Sequence, residues 1–275
     1  MKITFDSNVF QLVVEPKPNS PNFEEFSLIE RSIITNKIYP FISESTFYLE
    51  DLNKKDRLPF IQGIKSNFNI SEEIEEGDCI VIKIEMHTSS DKDIEMNERR
   101  RYYWNIANSK GFKILGINRI NLIKNKNMKD EWFAPIDNNI LYRMSECSRC
   151  IEEHECGFYH IKLLADQYIN LVDPRYFNTF KNAPWYEKFK YIKSNNEQES
   201  KTLNKKVAKA FAEWADGDTV AAHYAYGNDY ICTNDIGRSA GSQSIFSSNN
   251  RAWLKDDFGI KIITPKELAD LILGS

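Results

Sequence analysis

Asp218-Thr-Val-Ala-Ala-His-Tyr-Ala-Tyr-Gly-Asn-Asp-Tyr-Ile-Cys-Thr-Asn-Asp235 is the stretch around which the rest of the chain can be read. Its pattern predicts a short helix from Asp218 to Tyr226, a turn at Gly227-Asn228 and a strand from Tyr230 to Thr233. Alanines at 221, 222 and 225 give that helix a small-residue face suited to lying close against a sheet. Asp218 is expected at its first turn, where unpaired N–H groups and the helix dipole favour a carboxylate. Asp235 is expected just past the strand's carboxyl end, where open α/β sheets place their ligands. Two carboxylates on one rim suggest a divalent-cation site, which needs further acids from elsewhere.

Those acids are sought in the first fifty residues. Lys2–Phe5 reads as a short strand ended by Asp6-Ser7-Asn8, and Val9–Val14 continues as helix or strand to a breaker segment from Pro16 to Pro21. Phe23–Asn36 has helical periodicity, and Ile38–Ile42 reads as a second strand. A helix over roughly Thr46–Lys55, capped by Ser43 or Ser45, carries Glu50. Strand alternating with helix predicts a mostly parallel sheet. At the other end, Ile260–Ile263 reads as the last strand, and Thr264 with Pro265 opens a terminal helix.

The middle has a different texture. Ile80–Met86 and Ile114–Ile120 read as strands, open to pairing with each other, and helices are expected over 138–153, 157–171, 184–193 and 201–214. The fold class that follows is a three-layer α/β domain with a mostly parallel central sheet. Residues 1–69 and 201–275 form its two parts, and 70–200 an α+β insertion.

Composition narrows the function only a little. Of 275 residues 41% are hydrophobic and 28% charged, ordinary for a globular protein, and a formal net charge of −4 gives no global basic footprint for nucleic acid. No apolar run reaches membrane-spanning length, no secretory signal is read at the start, and five cysteines is an odd number, so a reducing cytoplasm is expected.

Acids at strand ends or helix starts are Asp6, Glu44 or Glu50, Asp216 or Asp218, and Asp235. Such a set suits Mg²⁺ or Mn²⁺, which take hard oxygen ligands and neutralise the charge on a phosphodiester under attack. Ile3-Thr4-Phe5-Asp6-Ser7-Asn8, then Ile42-Ser43-Glu44-Ser45-Thr46-Phe47-Tyr48-Leu49-Glu50, then Asp218-Thr-Val-Ala-Ala, then Cys232-Thr233-Asn234-Asp235, resemble the PIN domain. PIN domains are metal-dependent nucleases, many acting on RNA and many being toxins of bacterial toxin–antitoxin pairs. The resemblance covers roughly 1–60 and 205–275 and leaves the middle unexplained.

It implies Asp6, Asp218 and Asp235 as cation ligands, with Asp216 as an alternative or further one. Asn8, Thr233 and Asn234 would orient carboxylates or water. The family's glutamate, about six residues after the serine, falls on Leu49 here, so Glu44 and Glu50 both stay open. Hydrolysis would leave 5′-phosphate and 3′-hydroxyl ends. The implied partners are RNA, an antitoxin or another protein, and a second copy. A catalytically silent PIN-like module binding RNA or protein is the alternative, kept open by the displaced glutamate.

Further signals stand outside this set. Cys147, Cys150, His154 and Cys156 have the residue types of a zinc site, but their spacing is cramped and falls within a helical pattern. Arg99-Arg100-Arg101 beside Tyr102-Tyr103-Trp104 has the chemistry to hold phosphates and stack bases, diluted by Glu95 and Glu98. Arg238, Ser239 and Ser242 follow Asp235 as a loop suited to touch a substrate phosphate. His223 in the alanine-rich helix is expected to pack rather than act as a base.

Overall fold

In a computed structural model of the chain, residues 1–75, 79–90, 96–117, 128–237 and 244–274 are described, with backbone alone for 65–90. The N-terminal third runs β1 (Lys2–Phe5), α1 (Ser7–Val14), α2 (Phe23–Ile34), β2 (Tyr39–Ser43), α3 (Ser45–Tyr48) and α4 (Arg57–Gln62). The hairpin β3 (Ile64–Glu75) and β4 (Cys79–Ser90) follows, then α5 (Glu98–Ser109) and β5 (Lys113–Leu115). Helices α6 (Asn138–Glu153), α7 (Tyr159–Leu164), α8 (Phe177–Asn182) and α9 (Trp185–Lys188) lead into the long α10 (Glu197–Tyr226). The chain closes with β6 (Tyr230–Cys232), α11 (Ser248–Phe258), β7 (Ile262–Ile263) and α12 (Pro265–Leu273).

Five strands form a parallel sheet in the order β5-β2-β1-β6-β7. The strands are short runs rich in Ile and Phe, as expected where both sides of a parallel sheet are covered. Alternation divides them. Ile3, Phe5 and Cys232 share one core with residues of α1, α2, α5 and α12. Ile231 and Leu115 belong to another with Met144 of α6, Val220 and Ala221 of α10, and Leu254 of α11. A third core joins Phe60, Phe180, Phe189, Phe211 and Trp214, linking α4, α8 and α9 to the part of α10 from Leu203 to Ala215.

Three expectations are corrected here. The helix expected to begin at Asp218 is the last third of α10, which runs unbroken through Gly217. Gly217 is a contact, not a stop: a Cβ there would lie 2.8 Å from Gly157 Cα, so the helix and the turn after α6 touch backbone to backbone. The true stop is Gly227, at φ 64°. The described part of the strand expected over Ile114–Ile120 does not pair with Ile80–Met86. That part is β5, which pairs with β2, whereas β4 pairs with β3. Residues 70–200 therefore contribute a strand to the sheet itself. The helix expected over Thr46–Lys55 ends after Tyr48.

Strands are added on one side from β1 to β2 to β5, and on the other from β6 to β7. The winding reverses between β1 and β6, and such a reversal opens a crevice beyond the strands' carboxyl ends.

Candidate metal centre

Asp6 follows β1 and sits in that crevice, its N–H donating to Cys232 O (3.0 Å). As the N-cap of α1 it accepts the Ser7 N–H on Oδ1 (2.6 Å). On Oδ2 it accepts Asn8 Nδ2 and the Thr233 hydroxyl, each at 2.6 Å. Thr233 Oγ1 in turn accepts the Asp235 N–H (2.9 Å) and Asn8 Nδ2 (2.9 Å), and Asn8 Oδ1 accepts the Asn234 N–H (3.1 Å). Asn8 and Thr233 thus lock one carboxylate across two strand ends, while Asn234 contributes its backbone.

Ligand oxygens of Asp6, Glu50 and Asp216 lie within 4.8 Å of one another, and among the described residues they are the one group of three or more His, Cys, Asp or Glu side chains to do so. Glu50 arrives through a wide turn. Ser45 O accepts both the Leu49 N–H (2.9 Å) and the Glu50 N–H (3.4 Å), the second bond spanning five residues. That π-type turn absorbs one extra residue, sends Leu49 into the core and swings Glu50 to the crevice. Arg100 of α5 flanks it, with Nη2 4.0 Å from Glu50 Oε2 and Nε 3.1 Å from Asp51 Oδ1.

Glu44 and Asp218 are not part of this group. Residues 216 and 218 lie about 200° apart around a helix, so α10 turns only one of them toward Asp6. Asp218 faces Glu44 instead, and Glu44 Oε2 accepts the buried Ile117 N–H at 3.0 Å beyond β5. Asp235 lies beside the group without joining it; its Oδ1 accepts the Gly237 N–H (2.7 Å). Arg238, Ser239 and Ser242 lie outside the described residues.

Burial and mutual repulsion govern the charges. Burial raises Asp6 above the usual carboxylate range, against the pull of the Thr233 and Ser7 hydrogen bonds, and Asp235 adds to the rise. Glu50 is pushed up to about 7 by burial and then by Asp6, with Arg100 opposing. Asp216 is raised well above its ordinary value by burial and then by Asp6, Glu50, Glu213 and Asp235. At 4.8 Å, two ionised carboxylates repel by about 3 kcal/mol at an effective dielectric near 20, before solvent screening. A hard divalent cation would reverse that sign, and the all-oxygen donor set fits Mg²⁺ or Mn²⁺.

Glu213 was not legible as a site residue. It lies one turn before Asp216 on α10, is buried, has its carboxyl raised to about 7, and its Oε2 has no hydrogen-bond partner among the described residues. Its spacing from Asp216 on one helix face is the signal that the expected break before Asp218 hides.

The remaining motifs fall elsewhere. His154 stacks on Trp253 at 4.0 Å between ring centres and pairs through Nε2 with Asn250 Oδ1 (3.2 Å). Cys156 Sγ accepts from Asn250 Nδ2 (3.2 Å), and Cys147 is buried in the core, so these side chains are engaged in packing. His223 is buried with Nδ1 2.9 Å from Thr4 Oγ1, and burial lowers it to about 3, leaving a neutral packing residue. No helix among the described residues is long and apolar enough to cross a membrane.

The chain matches no protein-family model, no curated protein and no solved structure.

Proposed function

We propose that the protein is a nuclease dependent on Mg²⁺ or Mn²⁺ that hydrolyses phosphodiester bonds, with RNA as the favoured substrate, built on a three-layer PIN-like plan. The observation that carries this reading is the convergence of Asp6, Glu50 and Asp216 at the crevice where the winding reverses. Acids delivered after the first strand, after the second and from the helix before the fourth strand of the sheet support the reading: Asp6, Glu50 and Asp216 are among the residues the resemblance implied or left open, whereas Asp218 and Asp235 stand outside the group.

Asp6, Glu50 and Asp216 would hold the ion, with Asp235 and Glu213 as nearby negative charges. A bound ion supplies Lewis acidity, lowering the pKa of water and neutralising phosphate charge. Asn8 and Thr233 keep Asp6 aimed, and Arg100 holds the segment that carries Glu50. The wide turn at Ser45 supports this reading over a silent module, because it brings Glu50 beside Asp6 and Asp216. A toxin-like or defence-like setting, an antitoxin partner and a homodimer rest on the resemblance alone.

The test is cleavage of an end-labelled single-stranded RNA in Mn²⁺ and in EDTA, with the product ends mapped. Metal-dependent products with 5′-phosphates are expected. Cleavage that survives EDTA would falsify the metal reading.

A further inference from the structure

Two clefts flank the acid group and share a wall. One, of about 330 Å³, is lined by Gln11, Glu50, Lys54, Arg57, Arg99 and Arg100, with Asp51 among others. The other, of about 290 Å³, is lined by Ser7, Asn8, Lys17, Arg99 and Tyr103, again with Gln11. Gln11 and Arg99 are common to both, so the two form one trough along the start of α1 and of α5. It reaches the acid group at both places, through Asn8, which bonds Asp6, and through Glu50.

The trough is basic although the chain is acidic overall. Five cations, Lys17, Lys54, Arg57, Arg99 and Arg100, face two carboxylates, Glu50 and Asp51. Two of the cations are already committed: Arg57 donates to Leu52 O (3.2 Å) and Ala208 O (2.5 Å), and Arg100 pairs with Asp51. The other three are exposed. Among the described residues Arg99 donates only to the neutral Gln11 Oε1 (2.7 Å), beside the Tyr103 ring at 6.0 Å, and Lys17 and Lys54 make no ion pair. Uncommitted cations beside a cluster of acids are what a polyanion threading past a metal centre requires, because its phosphates must be held where the acids alone would repel them.

We infer that this trough is the path of the nucleic-acid backbone, with Lys17, Lys54 and Arg99 pairing phosphates on either side of the one at the acid group. The inference rests on the nuclease reading for the role of the acids, and on the trough alone for binding. It assigns a task to the Arg99-Arg100 run: Arg99 faces the strand, and Arg100 is a positioning residue for the segment carrying Glu50.

The test is the affinity of a fluorescein-labelled single-stranded RNA in EDTA, by anisotropy across a salt series, for the wild type and for the triple variant Lys17→Ala, Lys54→Ala, Arg99→Ala. Each lost phosphate contact lowers the slope of log affinity against log salt by about 0.7 for a single strand, so a fall of about 2 is expected, with affinity at moderate salt down on the order of tenfold or more. The rise in melting temperature produced by Mn²⁺ should be the same in both proteins, which shows that the acid group and the fold are intact. Unchanged affinity and slope in the triple variant would overturn the trough, and metal-dependent cleavage by the same protein would leave the nuclease reading standing. Binding lost in the variant, with a wild type that never cleaves, would keep the trough and remove the nuclease reading.

Discussion

Replacing Asp216 with asparagine is expected to stabilise the metal-free protein and to abolish its response to Mn²⁺. Three carboxylates whose ligand oxygens lie within 4.8 Å repel pairwise by about 3 kcal/mol when ionised, and Asp216 takes part in two of the three pairs. Protonation and solvent reduce the relief, because Glu50 titrates near 7 and both Glu50 and Asp216 are only half-buried. A net gain of about 2 kcal/mol at pH 8 remains, or about 5 °C for a chain of this size. Wild type in Mn²⁺ at about a hundred times its dissociation constant should gain about 2.7 kcal/mol, and the variant close to none. The pH dependence has a definite sign. A carboxyl raised in the folded state contributes stability below its unfolded pKa of 4.5 and loses it as pH rises through about 7. Metal-free wild type should therefore be weaker at pH 8 than at pH 5 at this site, and the Mn²⁺ shift larger at pH 8. The assay is differential scanning fluorimetry in EDTA and in Mn²⁺ at both pH values. A variant that melts below wild type in EDTA and keeps the Mn²⁺ shift would refute the reasoning.

Other substitutions test the surroundings of the site. Gly217→Ala should destabilise by about 1–3 kcal/mol in urea despite alanine's helix propensity, because the new Cβ would meet Gly157 Cα at 2.8 Å; a stabilised variant would mean that the two backbones separate freely. Glu44→Ala should cost about 1–3 kcal/mol by orphaning the buried Ile117 N–H and leave the Mn²⁺ shift intact, whereas a lost shift would place Glu44 at the ion. His223, depressed to about 3 in the fold against about 6.5 unfolded, contributes stability above pH 6.5 that is lost as pH falls toward 3. That loss is about 2 kcal/mol by pH 5, and His223→Gln should remove the corresponding part of the acid-side slope in urea unfolding; an unchanged slope would show that His223 protonates freely in the fold.

The sheet was legible because β1, β2, β6 and β7 are short apolar runs cut off by Asp, Ser, Gly or Pro, and those breaks put Asp6 and Asp235 at strand ends. Where the reading failed, the cause was nonlocal. Gly217 looks like a helix stop, but its partner Gly157 lies sixty residues away in the chain, so α10 continues and presents Asp216 in place of Asp218. The frame of Glu50 depends on a turn one residue wider than an α-turn, which side-chain periodicity does not record. Strand β5 pairs with β2 across the hairpin, a choice set by the whole sheet rather than by the residues around Ile114. Arg99-Arg100 was visible as a basic run, but its position beside Glu50 was not.

The central claim is that Asp216, with Asp6 and Glu50, forms a working metal centre. The most direct test is the Mn²⁺-dependent cleavage rate of one labelled RNA by wild type, Asp216→Asn and Asp218→Asn under identical conditions. Loss of on the order of a hundredfold or more in Asp216→Asn, with Asp218→Asn within about tenfold of wild type, is the predicted result. Full activity in Asp216→Asn, or the reverse order of the two variants, would contradict it.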